Sequence, residues 1–235
     1  MEYLPNGFTL NTDNRSFPLS TDSMLLSDFV RLLSDFVRLP KNASVLDLGA
    51  GCGTLGILLC AKDPHCRVTG VEIDANAHTA AEGNIARNNL HNRMVSICAD
   101  LRCVSLDDGS FSVCVSNPPY FSGGPASKEY PQARREDHCP PAQLFAVAAK
   151  ALKFGGDFFL VHKPERLAEL IACGARENLE AKRLRLVRHK EGSDISMILL
   201  AFRKGANPGL QIDETLLFHK DGTPTDFYKT VYHIL

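Results

Sequence analysis

The sequence predicts an α/β protein built on a doubly wound, mostly parallel sheet of seven strands with an antiparallel edge strand. Two observations predict this class. Short apolar runs alternate with segments of helical periodicity, and polar residues stand at the ends of four successive runs. Strands that alternate with helices form parallel sheets, and ligands bind beyond the carboxyl ends of their strands. A final pair of predicted strands accounts for the antiparallel edge.

The first strand and the first helix of the predicted sheet flank a glycine-rich turn. Residues 45–48 form an apolar run, Gly49, Gly51 and Gly53 follow in the turn, and residues 54–61 have the apolar spacing of a helix. Glycine adopts positive φ and lets a ligand approach the main chain at the helix N-terminus. The turn therefore indicates a nucleotide site. Its spacing also matches the dinucleotide pattern, so NAD or FAD stays open at this point.

Four successive strands carry a polar side chain at or near their ends, and these residues are Asp47, Glu72, Asp100 and Asn117. Because the carboxyl ends of parallel strands meet at one edge of a sheet, we expect these side chains to lie close together. A carboxylate about 20 residues after the glycines suits ribose hydroxyls. A helix cap or turn role is the alternative for Asp100. For Glu72 that alternative is weaker, because Asp74 can cap the next helix.

The end of the fourth strand carries the sequence Asn117, Pro118, Pro119 and Tyr120. The Asn side-chain carbonyl and a main-chain carbonyl held rigid by the proline pair can accept both hydrogens of one planar NH2 group. The Tyr ring offers a face on which that group can stack. The motif indicates a site for an exocyclic amine or an amide, and a plain loop is the alternative.

With these motifs, residues 20–205 resemble the class I S-adenosylmethionine-dependent methyltransferases that methylate amino groups and carry Asn-Pro-Pro-Tyr. The resemblance implies a Rossmann-like fold. It implies that residues 117–120 are catalytic, that Asp47 and the glycine turn bind the methionine tail, that Glu72 binds the ribose, and that Asp100 and Leu101 bind the adenine. The cofactor-binding residues implied are Thr21, Asp22, Asp47, Gly49, Gly51, Gly53, Glu72, Ile73, Asp100, Leu101 and Asn117.

Segments along the rest of the chain extend the resemblance. They are Phe-Ser-Gly-Gly at 121–124, Ala-Arg-Arg-Glu at 133–136, Leu-Lys-Phe-Gly-Gly at 152–156 and the stretches 161–167 and 217–222. These segments are similar to the bacterial adenine-N6 methyltransferases that modify the purine beside the anticodon of a valine tRNA. The resemblance implies that S-adenosylmethionine is the cofactor, that tRNA is the substrate, and that an exocyclic N6 amine receives the methyl group.

Two groups of cations are candidates for binding RNA phosphates, with Tyr120 stacking on the base. The first group follows the catalytic motif and consists of Arg134 and Arg135. The second occupies nine residues of a predicted strand with no acid among them and consists of Lys182, Arg183, Arg185, Arg188 and Lys190. The net charge of −1 does not oppose this prediction, since phosphate binding needs only a local patch. A merely solvated strand face is the alternative.

The chain has 235 residues, 44% of them hydrophobic, and this length and composition predict a single domain. We expect a capping segment and helix over 1–42, a cofactor-binding and catalytic core over 43–205 and a tail over 206–235. No apolar run is long enough to span a membrane, and no secretory signal precedes the first strand. We therefore expect a cytoplasmic protein without a membrane partner. The sequence does not determine the oligomeric state, and a monomer is favoured. The eight cysteines and eight histidines lack ligand spacing, so we expect no metal.

A tandem repeat precedes the glycine turn, because residues 25–31 recur unchanged as residues 32–38. Seven residues make about two helical turns, so the repeat predicts an amphipathic helix that covers one face of the sheet. The family that the chain resembles carries one copy. The second copy therefore raises the alternative that Thr21 and Asp22 are displaced from the cofactor site.

Three other functions stay open. A methyltransferase acting on a protein glutamine presents the same NH2 group, although such enzymes carry an N-terminal helical domain and only about 44 residues precede the first strand here. A guanine-N2 methyltransferase of ribosomal RNA uses a related motif that usually ends in Phe rather than Tyr. A nicotinamide-binding module or a catalytically silent adenosine binder is the alternative from a different class.

Overall fold

The structure, a computed structural model, describes residues 1–4, 7–11, 19–31, 43–118 and 139–232. The strands are β1 Glu2–Tyr3, β2 Thr9–Leu10, β3 Ser44–Leu48, β4 Arg67–Glu72, β5 Met94–Cys98, β6 Phe111–Ser116, β7 Leu152–His162, β8 Leu179–Lys190, β9 Ile195–Lys204 and β10 Gln211–Phe218. The helices are α1 Thr21–Arg31, α2 Thr54–Lys62, α3 Ala75–Arg87, α4 Pro141–Ala151, α5 Leu167–Arg176 and α6 Asp226–Tyr232, with a short 3-10 helix Pro164–Arg166 before α5.

The predicted fold class is confirmed, because a large and mostly parallel sheet forms the centre of the molecule. Its strand order is β10-β8-β9-β7-β6-β3-β4-β5. Strand β9 runs antiparallel to both of its neighbours, β7 and β8, and the other pairs in this sheet are parallel. The sheet thus has eight strands rather than seven, and its antiparallel strand is an inner strand. The predicted antiparallel edge was wrong.

The eighth strand, β10, lies within the segment 206–235 that we expected to be a tail. It pairs in parallel with β8 and forms the edge of the sheet. Edge strands tolerate charged residues, and β10 carries Asp213 and Glu214 in its middle. These acids interrupt the alternation of apolar and polar residues by which a strand is recognised in a sequence.

Helices cover both faces of the sheet, so the inner strands are apolar on both sides. Within β7, Phe159 and Val161 belong to the core beneath α1, α2 and α6, and Phe158 and Leu160 belong to the core beneath α4 and α5. Alternate side chains of β7 therefore pack into two different cores, one on each face of the sheet. This explains why the predicted inner strands are nearly continuous apolar runs.

Helix α1 contains the first copy of the tandem repeat, and the second copy lies outside the residues that the structure describes. The helix begins at Thr21, and the Oγ of Ser20 accepts a hydrogen bond from the Ser23 main-chain N–H at 3.2 Å. Leu25, Leu26 and Phe29 are fully buried against the sheet. The predicted helix over the sheet is therefore observed for the first copy, but residues 23–30 are all buried, so this part of the helix has no exposed polar face.

The strand register fixes how far the later strands extend beyond the Asn-Pro-Pro-Tyr motif. Ser116 pairs with Leu160, Leu160 with Leu200, and Leu200 with Leu184. Leu184 is therefore level with Ser116, and the six further residues of β8 extend about 20 Å past that level at about 3.3 Å per residue. Residues 185–199, which form the β8–β9 hairpin, stand beside the carboxyl edge of the sheet.

Candidate active site

The glycine turn between β3 and α2 is open on one side and closely packed on the other. Gly49, Gly51 and Gly53 have φ of 75°, 55° and 83°, a region that favours glycine. A Cβ at Gly49 or Gly51 would meet no heavy atom within 4 Å. A Cβ at Gly56 would lie 2.7 Å from Met94 Cε and 3.0 Å from Val68 Cγ1, so these side chains would have to move to make room for it. The turn thus leaves room for a ligand beside bare main chain.

Glu72 ends β4, and its carboxylate accepts hydrogen bonds from two main-chain N–H groups. Its Oε2 accepts a hydrogen bond from the Gly51 N–H at 2.8 Å, and its Oε1 accepts one from the Asp74 N–H at 2.8 Å. Asp74 caps α3, because its Oδ1 accepts hydrogen bonds from the main-chain N–H groups of Asn76 and Ala77. Glu72 is therefore not the helix cap. Each of its oxygens retains capacity to accept a ribose hydroxyl.

Asp47 is a buried carboxylate, 1% exposed, on the strand that leads into the glycine turn. Its Oδ2 has no hydrogen-bond partner among the described residues. Burial raises the pKa of Asp47 to about 7, against a hydrogen bond from the Gly56 N–H, and the charge of Glu72 adds to the rise. A buried oxygen without a partner is costly unless a ligand satisfies it. The donor that suits it best is a cationic ammonium group.

Asn117 follows β6 and contacts the first turn of α1. Its Nδ2 donates a hydrogen bond to Ser23 Oγ at 3.1 Å. The preceding residue, Ser116, donates from its Oγ to the Leu48 main-chain oxygen at 2.7 Å, which locks β6 to β3 at the edge where the glycine turn begins. The first turn of α1, the glycine turn and Asn117 thus meet at one edge of the sheet.

The structure places Thr21 and Asp22, predicted cofactor residues, in that same first turn of α1. Thr21 Oγ1 accepts a hydrogen bond from the Tyr232 hydroxyl at 3.0 Å. The turn is in contact with Asn117 through Ser23, so Thr21 and Asp22 lie beside the catalytic motif, and their role at the cofactor stays a prediction. Of the catalytic motif, the structure describes Asn117 and Pro118. Pro119, Tyr120, Arg134 and Arg135 lie outside the described residues.

At the end of β5, Asp100 has the turn role that the sequence left as an alternative. Its Oδ1 accepts a hydrogen bond from the Arg102 N–H at 2.8 Å, and its carboxylate also binds the Arg102 guanidinium. The next strand end is adjacent, since the Ala99 N–H donates to the Glu72 main-chain oxygen. Two apolar side chains border this region, the 46% exposed Ile73 and the half-buried Leu101. Arg102 was not predicted as a partner of Asp100.

Asn84 is a buried residue near the site that sequence reasoning missed. Its Nδ2 donates to the main-chain oxygens of Cys52 at 3.1 Å and Asn11 at 3.2 Å, and its Oδ1 accepts from the Asn11 N–H at 2.8 Å. It therefore connects the glycine turn to the N-terminal segment. No sequence signal distinguished it from the other polar residues of α3, because its partners lie 32 and 73 positions away.

The basic residues of β8 have acidic partners on β10. The Asp213 carboxylate binds both Arg183 and Arg185, whose side chains are only 16% and 11% exposed. Both guanidinium groups also lie over the ring of Phe29, at 5.1 and 5.7 Å from its centroid. Local sequence could not reveal this pairing, because Asp213 follows these arginines by 28 to 30 positions. Little of either arginine is left at the surface.

The other predicted cations of β8 differ in exposure and position. Lys182 donates from Nζ to the Asn207 main-chain oxygen at 2.9 Å and precedes Leu184 on β8, so it lies below the level of Ser116. Arg188 pairs with Glu214 and keeps 31% of its side chain exposed. Lys190 is exposed at the carboxyl end of β8. Arg188 and Lys190 are the two that lie in the β8–β9 hairpin, beyond the level of Asn117.

The described residues contain no group of three or more His, Cys, Asp or Glu residues arranged to hold a metal ion. None of their helices is long and apolar enough to cross a membrane.

The sheet order with its reversed inner strand, the open glycine turn and the acidic strand ends define a methyltransferase of the class I, Rossmann-like kind. Solved structures share this fold. One described as a predicted O-methyltransferase from Agrobacterium tumefaciens has a TM-score of 0.73 at 20% identity and covers 91% of this chain and 96% of its own. A methyltransferase from Pyrococcus furiosus has a TM-score of 0.61 at 22% identity, covering 86% and 91%.

The chain belongs to the methyltransferase small domain family, whose model matches residues 29–181. It is 27% identical over 224 residues to a protein of Aeromonas hydrophila named tRNA1(Val) (adenine(37)-N6)-methyltransferase, covering 94% of this chain and 91% of the relative. A protein of Porphyromonas gingivalis with the same name is 29% identical, covering 80% of this chain and 75% of the relative.

Proposed function

We propose that this protein transfers a methyl group from S-adenosylmethionine to the exocyclic N6 amine of an adenine in a tRNA anticodon loop. The observation that carries the proposal is the placement of Asn117, whose amide is held at the carboxyl edge of the sheet by a hydrogen bond to Ser23. The curated relatives bearing the name of a tRNA adenine-N6 methyltransferase support the choice of substrate. A tRNA substrate also implies a cytoplasmic location.

The residues at the glycine turn fit S-adenosylmethionine. The Oδ2 of Asp47, without a partner in the described part of the chain, would accept a hydrogen bond from the methionine ammonium group. Gly49 and Gly51 leave space for the methionine tail against the main chain, and Glu72 would accept the ribose hydroxyls. When bound, the cofactor supplies a methyl group attached to a positively charged sulfur.

The adenine ring of the cofactor needs an apolar pocket with polar groups at its rim. Ile73 and Leu101 would contact the ring faces, and the Asp100 carboxylate would accept from the ring amine, sharing its oxygens with Arg102. The first turn of α1, with Thr21 and Asp22, would close the methionine end of the site. We assign these roles from the position of each residue at the edge where Glu72 and the glycine turn meet.

For the transfer itself, Asn117 Oδ1 and the Pro118 carbonyl would accept the two hydrogens of the target amine. Pro119 would keep that carbonyl rigid. Positive charge develops on the amine nitrogen as the methyl group arrives, and each oriented acceptor can supply roughly 3 kcal/mol in a dry site. Tyr120 would stack on the target base, a contact worth about 1–3 kcal/mol. A general base is not required, because the cationic nitrogen loses its proton readily.

The β8–β9 hairpin is the surface that we propose for the RNA backbone. It extends past the level of Asn117, and it carries Arg188 and Lys190 on the side from which a base must enter. Together with Arg134 and Arg135, which follow the catalytic motif, these cations can bind phosphates. Arg183 and Arg185 have a different role in this proposal. Both bind the single carboxylate of Asp213, so they join β8 to the edge strand.

The experiment that tests the proposal is methyl transfer from labelled S-adenosylmethionine to total tRNA from a strain lacking the gene, followed by nucleoside analysis. We expect labelled N6-methyladenosine in tRNA. Ribosomal RNA and release factors serve as parallel substrates under the same conditions. Label that appears only in a protein glutamine, or only in guanosine of ribosomal RNA, would contradict the proposal.

A further inference from the structure

The first turn of α1 is held between the catalytic motif and the C-terminal helix. Ser23 accepts a hydrogen bond from Asn117 at 3.1 Å, and Thr21 accepts one from Tyr232 at 3.0 Å. We propose that Ser23 is a positioning residue that sets the orientation of the Asn117 amide for methyl transfer, and that α6 holds the α1 turn in place through Tyr232. This inference rests on the proposed role of Asn117 as an acceptor for the target amine.

The hydrogen bond to Ser23 determines which end of the amide is available to the substrate. The carboxamide of Asn117 is planar, with an acceptor oxygen on one side and a donor nitrogen on the other. While Ser23 Oγ accepts from the Nδ2 end, Oδ1 points away from Ser23. A target amine needs that oxygen. An amide rotated by half a turn would present N–H groups to the N–H groups of the substrate, and the two sets of donors would repel each other.

Ser23 is well placed to act as a fixed acceptor. It is 6% exposed, and its Oγ also receives a hydrogen bond from Ser20 Oγ at 3.2 Å. Ser20 in turn accepts the Ser23 main-chain N–H, which closes the first turn of the helix. The hydroxyl that faces Asn117 is therefore part of the helix cap. Its position depends on where the turn sits above the sheet.

Helix α6 fixes that position from the other side. Thr225 anchors its start by donating from Oγ1 to the Leu216 main-chain oxygen at 2.7 Å and accepting the Tyr228 N–H at 3.2 Å. Val231 is fully buried in the core that includes α1. The Tyr232 ring stacks on the Tyr228 ring with centroids 4.3 Å apart. The Tyr232 hydroxyl therefore reaches Thr21 from a ring that is held by its neighbours.

The middle of α1 has separate anchors, which provide a matched control. Lys62 Nζ donates to Ser27 Oγ at 2.9 Å and lies 3.8 Å from the Asp28 carboxylate. Ser27 is one turn further along the same helix than Ser23 and is also buried. Its hydroxyl does not bond to Asn117. Substituting Ser27 thus removes a buried hydroxyl from α1 without removing the contact to the catalytic motif.

The test compares Ser23→Ala, Ser23→Thr and Ser27→Ala in tRNA methylation at saturating substrates. Ser23→Ala should lower kcat about tenfold, with the Kd for S-adenosylmethionine within about twofold of wild type, because the contact orients a group used in the transfer. Ser23→Thr retains the hydroxyl and should recover most of the rate. Ser27→Ala should keep the wild-type kcat. Equal losses in Ser23→Ala and Ser27→Ala would overturn the inference.

A double-mutant cycle tests whether Ser23 acts through Asn117. In the Asn117→Ala background, Ser23→Ala should cause no further loss of rate, because the side chain that it orients is absent. The same tenfold loss in both backgrounds would show that Ser23 acts independently and would overturn the inference. Tyr232→Phe should lower kcat about threefold with wild-type cofactor binding. Thr230→Ala, on the same helix, is its control.

A readout that does not depend on activity separates this inference from the proposed function. In protein labelled with 15N at asparagine, the side-chain NH2 signal lost in Asn117→Ala identifies the amide. That signal should shift in Ser23→Ala and stay in place in Ser27→Ala. A signal that does not move in Ser23→Ala would overturn the positioning role. Absence of N6-methyladenosine with the wild-type protein would instead overturn the proposed function, while the amide signal would still decide whether Ser23 orients Asn117.

Discussion

The carboxylate of Asp213 on β10 binds the guanidinium of Arg185 on β8 through two hydrogen bonds of 2.7 and 3.0 Å. Partial burial raises the pKa of Asp213, but the hydrogen bonds and charges of Arg185 and Arg183 outweigh it and hold that pKa below its ordinary value of 3.8. An acid that pairs with two largely buried arginines has a structural function. It secures the edge strand to the rest of the sheet.

We therefore expect Asp213→Asn to destabilise the protein by about 1–3 kcal/mol, the range for losing hydrogen bonds to a charged group. The control is Glu214→Gln, because the Glu214 side chain is 51% exposed and its pair with Arg188 should contribute less than about 1 kcal/mol. Because folding lowers the pKa of Asp213, the ionised carboxylate contributes to the free energy of unfolding above about pH 4. This contribution is lost as the pH falls further. Urea unfolding at pH 7 and pH 3 checks both points. Equal effects of the two substitutions would contradict the assignment.

Asp47 makes the stability of the fold depend on pH in the opposite direction. Folding raises its pKa from 3.8 to about 7, so the folded state retains a proton that the unfolded state releases, and stability falls as the pH rises from about 4 to 7. At about 1.4 kcal/mol per pH unit, the loss approaches 4 kcal/mol above pH 7. Asp47→Asn should thus be more stable than wild type at pH 8 without cofactor, and equally stable near pH 4.

The same substitution should weaken binding of S-adenosylmethionine, because an amide offers no negative charge to an ammonium group. Thermal unfolding at the two pH values and calorimetry with the cofactor measure the two effects. A loss of stability at pH 8 would show that the Asp47 carboxylate contributes to the fold rather than to the site.

Glu72→Ala should weaken binding of S-adenosylmethionine by about 1.5–3 kcal/mol, because the carboxylate would accept hydrogen bonds from the ribose. NAD should not bind to either protein. Asp74→Ala is the matched control. It removes the α3 cap at a cost of about 1 kcal/mol in stability, but it leaves the Glu72 side chain in place. If calorimetry shows unchanged cofactor affinity in Glu72→Ala, the ribose site lies elsewhere.

Asn117→Ala should separate binding from chemistry. Cofactor affinity should stay within a few-fold of wild type, and the rate of methylation should fall by about 10²-fold or more, because the contact to the amine strengthens as charge develops. Ser116→Ala removes the adjacent buried hydroxyl, which bonds to the Leu48 oxygen, and should affect stability rather than the rate at saturation. Equal losses of affinity and rate in Asn117→Ala would assign this residue to the cofactor.

The β8–β9 hairpin leads to a prediction for RNA binding. Lys190→Glu should raise the KM for tRNA, whereas Lys182→Glu, on the same strand but below the level of the motif, should leave it nearly unchanged. Each lost phosphate contact should also reduce the slope of log affinity against log salt concentration by about 0.7–0.9. Filter binding between low and high salt measures this. A larger effect from Lys182 would place the RNA on the other end of the sheet.

The parts of the fold that the sequence predicted are those specified by neighbouring residues. The glycine turn, the cap at Asp74 and the polar ends of four strands are local patterns. The alternation of strands and helices along the chain predicted a sheet covered by helices. The predicted helix over 54–61 agrees with α2 to within one residue. Such elements require only periodicity and a capping or breaking residue.

What the sequence could not predict depends on distant pairs. The structural role of Arg185 depends on Asp213, which lies beside it in space but far from it in the sequence. The level of Lys190 relative to Asn117 depends on the register across four strands. The edge strand β10 was missed because its acids hide its periodicity. Position in space, rather than residue type, separates Arg183 and Arg185, which are largely buried beside Asp213, from the cations beyond the level of Asn117.

The bond between Tyr232 and Thr21 joins two residues that are 211 positions apart. Because α6 follows every other described helix and strand in the chain, this bond can form only after translation has passed Tyr232. Until then the first turn of α1 lacks the support of the Tyr232 hydroxyl. The turn that bears Ser23, and that would close the methionine end of the cofactor site, would thus be completed by a helix that leaves the ribosome after the other described elements.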